Sequence, residues 1–163
     1  PVASPVPLPA LDAKQVRSSL ARRVMAARGM QEAVTYGFLE RRIAAMFGPV
    51  TERQGEWSPP DALRLENPIA SDLDQMRPTP IASLALAAAQ NAARGFADVA
   101  LCELGGGYRD TTPAGQLAMA CGLRAGSTPA SWIAPARPVE ALDAKAMRWP
   151  SSKHWPCPWR RSR

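Results

Sequence analysis

From Ala13 to Arg28 the apolar positions recur three and four apart. Val16, Leu20, Val24 and Ala27 form one stripe, and Arg17, Arg22, Arg23 and Arg28 lie off it. That period predicts an amphipathic helix over 13–28. Asp12 stands at its N-cap with Gln15 three residues on, the spacing of a reciprocal capping box. Gly29 follows as a C′ residue. In EAVTYGFLE, residues 32–40, the period drops to two: Val34, Tyr36 and Phe38 alternate, which predicts a strand. Glu40–Phe47 predicts a short helix closed by Gly48-Pro49. The polar residues 51–61 predict a loop, and Leu63 and Leu65 in ALRLE a second short strand. NPIASDLDQMRPTP, residues 67–80, lies between proline steps and predicts ordered loop or turn over most of its length. Strong helix formers run from Ile81 to Ala93, with Ile81, Leu84, Ala88 and Ala92 on one stripe, and Gly95 stops the helix they predict. Its many alanines require a close-packed neighbour. VALCEL, residues 99–104, predicts a buried strand, Gly105-Gly106-Gly107 a bend, and QLAMACGL, residues 116–123, another strand. Residues 126–138 read as a loop, and VEALDAKA, residues 139–146, as the start of a helix. Two closing strands in succession predict an antiparallel hairpin, hence an α+β fold.

The ends break this pattern. Residues 1–12 are expected to be a proline-rich linker, and because the first residue is Pro1 the chain is expected to begin inside a longer one. At residue 147 the apolar period stops in mid-turn. MRWPSSKHWPCPWRRSR, residues 147–163, holds three of the five tryptophans, the one histidine, five basic residues and no acid. Without it the net charge falls from +6 to +1, with 15 basic against 14 acidic residues. Charge therefore argues for nucleic acid only through the tail. One reading makes the tail a Trp/Arg arm for nucleic acid or a membrane surface. The genetic code offers another. Trp and Met have single codons, so reading residues 147–163 one nucleotide out of register is tightly constrained. One solution, DALAVLEALALPVEALQ, continues the helix begun at VEALDAKA with good formers and a 3.6-residue apolar stripe. The second reading makes 147–163 an out-of-frame, disordered tail in which Trp149, His154, Cys157 and Trp159 have no selected role.

Little chemistry is encoded. Cys102, Cys121 and Cys157 are odd in number and lack metal or redox spacing. Cys102 and Cys121 sit in apolar runs and read as buried thiols of a reducing compartment. No apolar run is long enough to span a membrane and no signal segment leads the chain, so a cytoplasmic protein without membrane contact is expected. With its one histidine in the tail, the chain offers no Ser-His-Asp or Cys-His arrangement. The glycine run lacks a Walker lysine and G-x-G-x-x-G spacing. Asp72, Asp74 and Glu103 are not spaced as metal ligands. No catalytic, cofactor-binding or metal residue is predicted. What remains is a set of polar residues flanking apolar elements: Asn67, Asp72, Arg77, Asn91, Arg94 and Glu103. Their chemistry suits an arginine–carboxylate framework that fixes loops against a neighbouring surface.

GMQEAVTYGFLE, followed by LRLENPIASDLDQMRPTPIASLALAAAQNAARGFADVALCELGGGYRD, resembles the β chain of bacterial phenylalanine–tRNA ligases in its catalytic-like core domain. That family reads approximately G-x-x-E-V-(V/I)-T-Y-S-F, N-P-(I/L)-S-x-(D/E), M-R-x-S-L-L-P-G-L-L, N-x-x-R-G and L-F-E-I-G. The likeness covers about residues 15–146, with the motifs in order. Thr79-Pro80-Ile81-Ala82-Ser83-Leu84 departs from S-L-L-P-G-L, and Cys102 replaces a phenylalanine. The tRNA-binding OB module, the editing domains, the anticodon-binding end and the second half of the core are not in this sequence. The resemblance implies an incomplete antiparallel sheet of the class II synthetase kind, flanked by helices, over residues 13–146. It implies that the complete enzyme charges tRNA with phenylalanine using ATP and magnesium, chemistry that sits on the α subunit. This chain is expected to carry no cofactor and no catalytic residue. Its implied partner is the α subunit of an (αβ)₂ assembly, with tRNA met only through the complete enzyme. The helix 13–28 then resembles the interface helix, and NPIASDLDQMRP the loop that fixes the sheet edge.

Overall fold

The computed structural model describes residues 11–48 and 60–147. Helix α1, Ala13–Ala27, starts as its sequence dictates: the Asp12 carboxylate accepts from the Gln15 amide at 2.7 Å, and the Gln15 side chain accepts from the Asp12 amide at 2.9 Å. Two amides that would otherwise open the helix unpaired are satisfied. Gly29 ends it at φ 73°, where a side chain would be strained. Asp12→Ala should lower stability by about 1 kcal/mol, read as a lower denaturant midpoint with an unchanged slope. No residue of α1 is fully buried: Val16 is 48% exposed, and Leu20 and Val24 are half-buried.

The strand expected over 32–40 is instead two short ones. β1, Gln31–Glu32, runs parallel to Leu101–Cys102, and the Ala33 amide adds a bond to the Cys102 carbonyl at 2.7 Å. The chain then leaves the sheet, with Val34 91% and Tyr36 65% exposed. β2, Phe38–Leu39, pairs antiparallel with β3, Gln75–Met76. Alternation at Val34, Tyr36 and Phe38 mimics a half-buried strand, but the middle of the segment is held by side-chain bonds of Thr35 rather than by a ladder. Tyr36 and Phe38 stack on each other, ring centres 5.5 Å apart. Within 67–80, most of which the sequence assigns to loop or turn, β3 is a two-residue strand.

Helix α2, Arg41–Met46, follows β2 directly. The strand expected at ALRLE is not formed. Asp61–Leu63 is a single 3₁₀ turn, and only Arg64 bridges to Gln75. Leu63 is buried by the turn rather than by strand alternation. Helix α3, Pro80–Ala93, is capped by the Thr79 hydroxyl with Pro80 at its first position, so Thr-Pro performs the entry without a Pro-Gly turn. Gly95, φ 91°, ends it.

β4, Val99–Tyr108, and β5, Gln116–Ala125, form a ten-residue antiparallel ladder in which Glu103 faces Cys121 and Gly106 faces Ala118. The predicted bend at Gly105–Gly107 does not exist: the strand runs straight through the glycines. Leu84 and Ala88 of α3 pack on Leu101 to form one core cluster, with Val99, Cys121 and Leu123 at its margin. A second cluster, Leu39, Ala44 and Ala82, joins α2 to α3. The sheet order is β1-β4-β5, with β1 parallel to β4. The fold is α+β, and its sheet is mixed rather than wholly antiparallel.

Helix α4, Ala141–Met147, is fastened to the preceding loop. Arg137 donates to both Asp143 oxygens, at 2.9 and 2.7 Å, and the Glu140 amide donates to Asp143 at 2.8 Å. The Arg137 guanidinium first, then the Glu140 amide, hold the Asp143 carboxyl down at about 2, against an ordinary 3.8. Since the folded value is the lower one, this clasp contributes above the ordinary value and is lost as pH falls through about 2. Arg137→Gln should return the Asp143 titration toward its ordinary range, read from its carboxyl carbon by NMR. The expectations for residues 1–10, for the loop from 51 to 59 and for the tail from 148 onward lie outside the described residues.

Candidate functional site

Arg77 lies between β3 and α3 and is 3% exposed; Glu103, in the middle of β4, is 4% exposed. Burial of two charges costs several kcal/mol each unless every donor and acceptor is met. Here they are met. Arg77 Nη2 donates to Glu103 Oε1 at 2.8 Å, Nε to the Gly106 carbonyl at 2.9 Å, and Nη1 to the Thr35 hydroxyl at 2.7 Å and the Ser83 hydroxyl at 3.3 Å. Thr35 in turn donates to Glu103 Oε2 at 2.7 Å. One guanidinium thus ties together the β1–β2 connection, α3 and β4. The backbone adds to it: the Tyr108 amide donates to the Arg77 carbonyl at 2.9 Å, and the Arg77 amide to the Gly37 carbonyl at 3.0 Å.

Two of the three glycines make room for this. A Cβ on Gly105 would strike the Arg77 guanidinium, and one on Gly107 would lie 2.5 Å from the Pro78 carbonyl oxygen. Glycine here serves close approach rather than a turn.

A second network, unforeseen in the sequence, lies alongside. Gln75, fully buried, accepts from Arg41 Nη1 at 3.0 Å and donates to the Pro60 carbonyl at 3.3 Å. Asp74 accepts from the Arg41 amide at 3.1 Å and pairs with Arg64 at 3.3 Å. Its residues carry no motif, and only the pairing of β2 with β3 brings them together.

The other candidates sit apart. Asn67, Asp72 and Arg94 are exposed, and Asn91 donates to the Ala87 carbonyl within its own helix at 2.8 Å. Cys102 is buried, and burial first, then the Glu32 carboxylate, pushes its thiol pKa up, away from nucleophile behaviour. Among the described residues no three His, Cys, Asp or Glu side chains converge to hold a metal ion. Beside the framework is an apolar cleft of about 650 Å³, bordered by Val34, Tyr36, Leu73, Leu86 and Gln90. Of its polar lining residues, Thr35 and Ser83 are turned to Arg77. The arrangement can lock backbone segments together.

Comparison with known proteins matches residues 2–148 to the family described as Phenylalanyl tRNA synthetase beta chain CLM domain. The chain belongs to this family. It is 44% identical over 142 residues to the phenylalanine–tRNA ligase β subunit of Cereibacter sphaeroides, covering 86% of this chain and 16% of that one. The β subunit of Rhodospirillum rubrum is 44% identical over 143 residues, covering 87% and 17%. That of Brucella suis is 41% identical over 155 residues, covering 87% and 18%. The chain thus spans about a sixth of the length of these relatives. Arg77 and Glu103 are the two of the six candidates that the fold brings together.

Proposed function

We propose that this chain is a piece of the non-catalytic core domain of the phenylalanine–tRNA ligase β subunit. Its work is to pack on the α subunit for ATP-dependent charging of tRNA with phenylalanine, and it is inactive alone. The observation that carries this reading is the closed Arg77–Glu103 framework. In a nucleotide site an arginine and a carboxylate face the ligand; here each is buried against the other, with Thr35, Ser83 and the Gly106 carbonyl taking the remaining bonds. ATP and magnesium belong to the complete family enzyme, and the donors described in this chain do not fit them, so no step is assigned to them here.

The surface for the α subunit is helix α1. Its stripe is exposed at Val16 and only half-buried at Leu20 and Val24, and a helix that keeps part of an apolar stripe uncovered is suited to a helical partner. Asn67, Asp72 and Arg94 remain available at the surface as interface residues. Residues 147–163 are read as out of frame, which agrees with the family match ending at residue 148; an unshifted genomic sequence shared by independent isolates would refute that part.

Co-expression with the α subunit tests the packing claim. The wild-type chain should co-purify with α, and Val16→Lys, on an exposed position, should abolish co-purification while leaving the chain's circular dichroism unchanged. Equal retention of the two chains would refute α1 as the contact.

A further inference from the structure

Among the described residues one sealed side-chain donor has no acceptor: Arg124 Nε, in β5. Atoms of this chain itself close it off from water, so it bears the cost of an unmade hydrogen bond. Another nitrogen of the same guanidinium is engaged. Nη2 donates at 2.8 Å to the carbonyl of Arg28, the C-cap of α1. Met30 lies against Gly122, two residues earlier on the same face of β5, so the end of α1 covers this face. Arg28 in turn donates from Nη1 to the Ala146 carbonyl, near the end of α4, at 3.3 Å. Arg124, the end of α1 and the end of α4 therefore meet at one corner.

Asp143 lies one turn before Ala146, on the same face of α4. It is the one residue from 141 to 146 that is not exposed. Its carboxylate is held by Arg137, whose side chain is 51% exposed, and by the Glu140 amide. Behind those two bonds the Arg124 charge also lowers the Asp143 carboxyl, which places the two groups within electrostatic reach. We propose that Asp143 is a two-position latch: it exchanges Arg137 for Arg124 Nε, and so carries α4 from the 126–138 loop onto the corner of α1 and β5. The exchange gives the sealed donor its acceptor. It also trades a solvated pair, which salt screens, for one that salt scarcely reaches. Because Arg124 also holds the Arg28 carbonyl, the second position joins α1, β5 and α4 through one guanidinium. The latch is independent of the ligase reading, since it needs neither the α subunit nor a substrate.

NMR of the full chain reads the latch at both of its groups. In the wild type, relaxation dispersion at the Asp143 carboxyl carbon and at Arg124 Nε should give one common exchange rate. Raising salt from about 0.1 to 1 M should shift the population toward the Arg124 position. Arg137→Gln should make that position the major one, seen as a scalar coupling across the hydrogen bond from Arg124 Nε to the Asp143 carboxyl carbon. The Asp143 titration should then stop part-way to its ordinary range, and reach it only when Arg124→Met is added. Arg124→Met alone should abolish the exchange at Asp143 and leave the Arg137 clasp in place. No exchange in the wild type at either salt concentration, exchange that survives Arg124→Met, or an Arg137→Gln chain in which Arg124 Nε contacts only water would each overturn the proposal.

Discussion

Arg77→Met should destabilise the chain by about 3–5 kcal/mol, because it leaves Glu103 charged and buried without its partner. The loss is large for three reasons. Glu103 is 4% exposed and cannot turn to water. The Gly106 carbonyl and the Thr35 and Ser83 hydroxyls lose a common donor in the same step. Three elements, the β1–β2 connection, α3 and β4, are held at that point. For a chain of this size such a loss corresponds to roughly 10 °C or more in Tm. The companion measurement separates structure from charge. Arg77→Met combined with Glu103→Leu removes the stranded carboxylate, so the double variant should be more stable than Arg77→Met alone. Additive losses in thermal denaturation would mean that the two side chains do not act as a pair.

Gly107→Ala is the second large effect. Its Cβ would lie 2.5 Å from the Pro78 carbonyl oxygen and 2.7 Å from the Met119 sulfur. Met119 can rotate; the Pro78 carbonyl is backbone, fixed between Arg77 and the cap of α3. Overpacking of this kind costs about 1–3 kcal/mol where side chains can yield, and the backbone neighbour sets the expectation at or above the upper end. Gly106→Ala is the control. Its nearest neighbour is the Tyr108 hydroxyl at 3.1 Å, the far end of a half-buried ring, so it should lose much less. Equal midpoints for the two variants in urea would show that the glycine run is not held by close approach to Pro78.

What the sequence revealed and what it hid follow from how local each signal is. Helix α1 was legible from its cap to Gly29 because Asp12, Gln15 and the terminal glycine act within one turn of their own backbone. Helix α3 was legible for the same reason, and the β4–β5 hairpin because both strands are long. The failures are non-local. Val34, Tyr36 and Phe38 alternate as a strand does, yet Thr35 between them is claimed by Arg77 and Glu103, 42 and 68 residues away. Gly105–Gly107 carry the ordinary sign of a bend, and only the ladder to β5 and the close approach of Arg77 and Pro78 reveal them as part of a continuous strand. Arg77 and Glu103 could be named among six residues of an arginine–carboxylate framework, but not as each other's partners, because 26 residues separate them. Gln75 and Arg41, equally part of the packing of β2 and β3, have side chains that no spacing rule singles out.

Under the function proposed above, this chain supports the ligase and does not catalyse. Phenylalanine-dependent ATP–pyrophosphate exchange by the purified chain tests it most directly. The account predicts exchange at the level of a no-protein control, with no response to phenylalanine. Exchange that rises with phenylalanine and disappears in Glu103→Gln would contradict it, since the buried pair would then be acting on substrate.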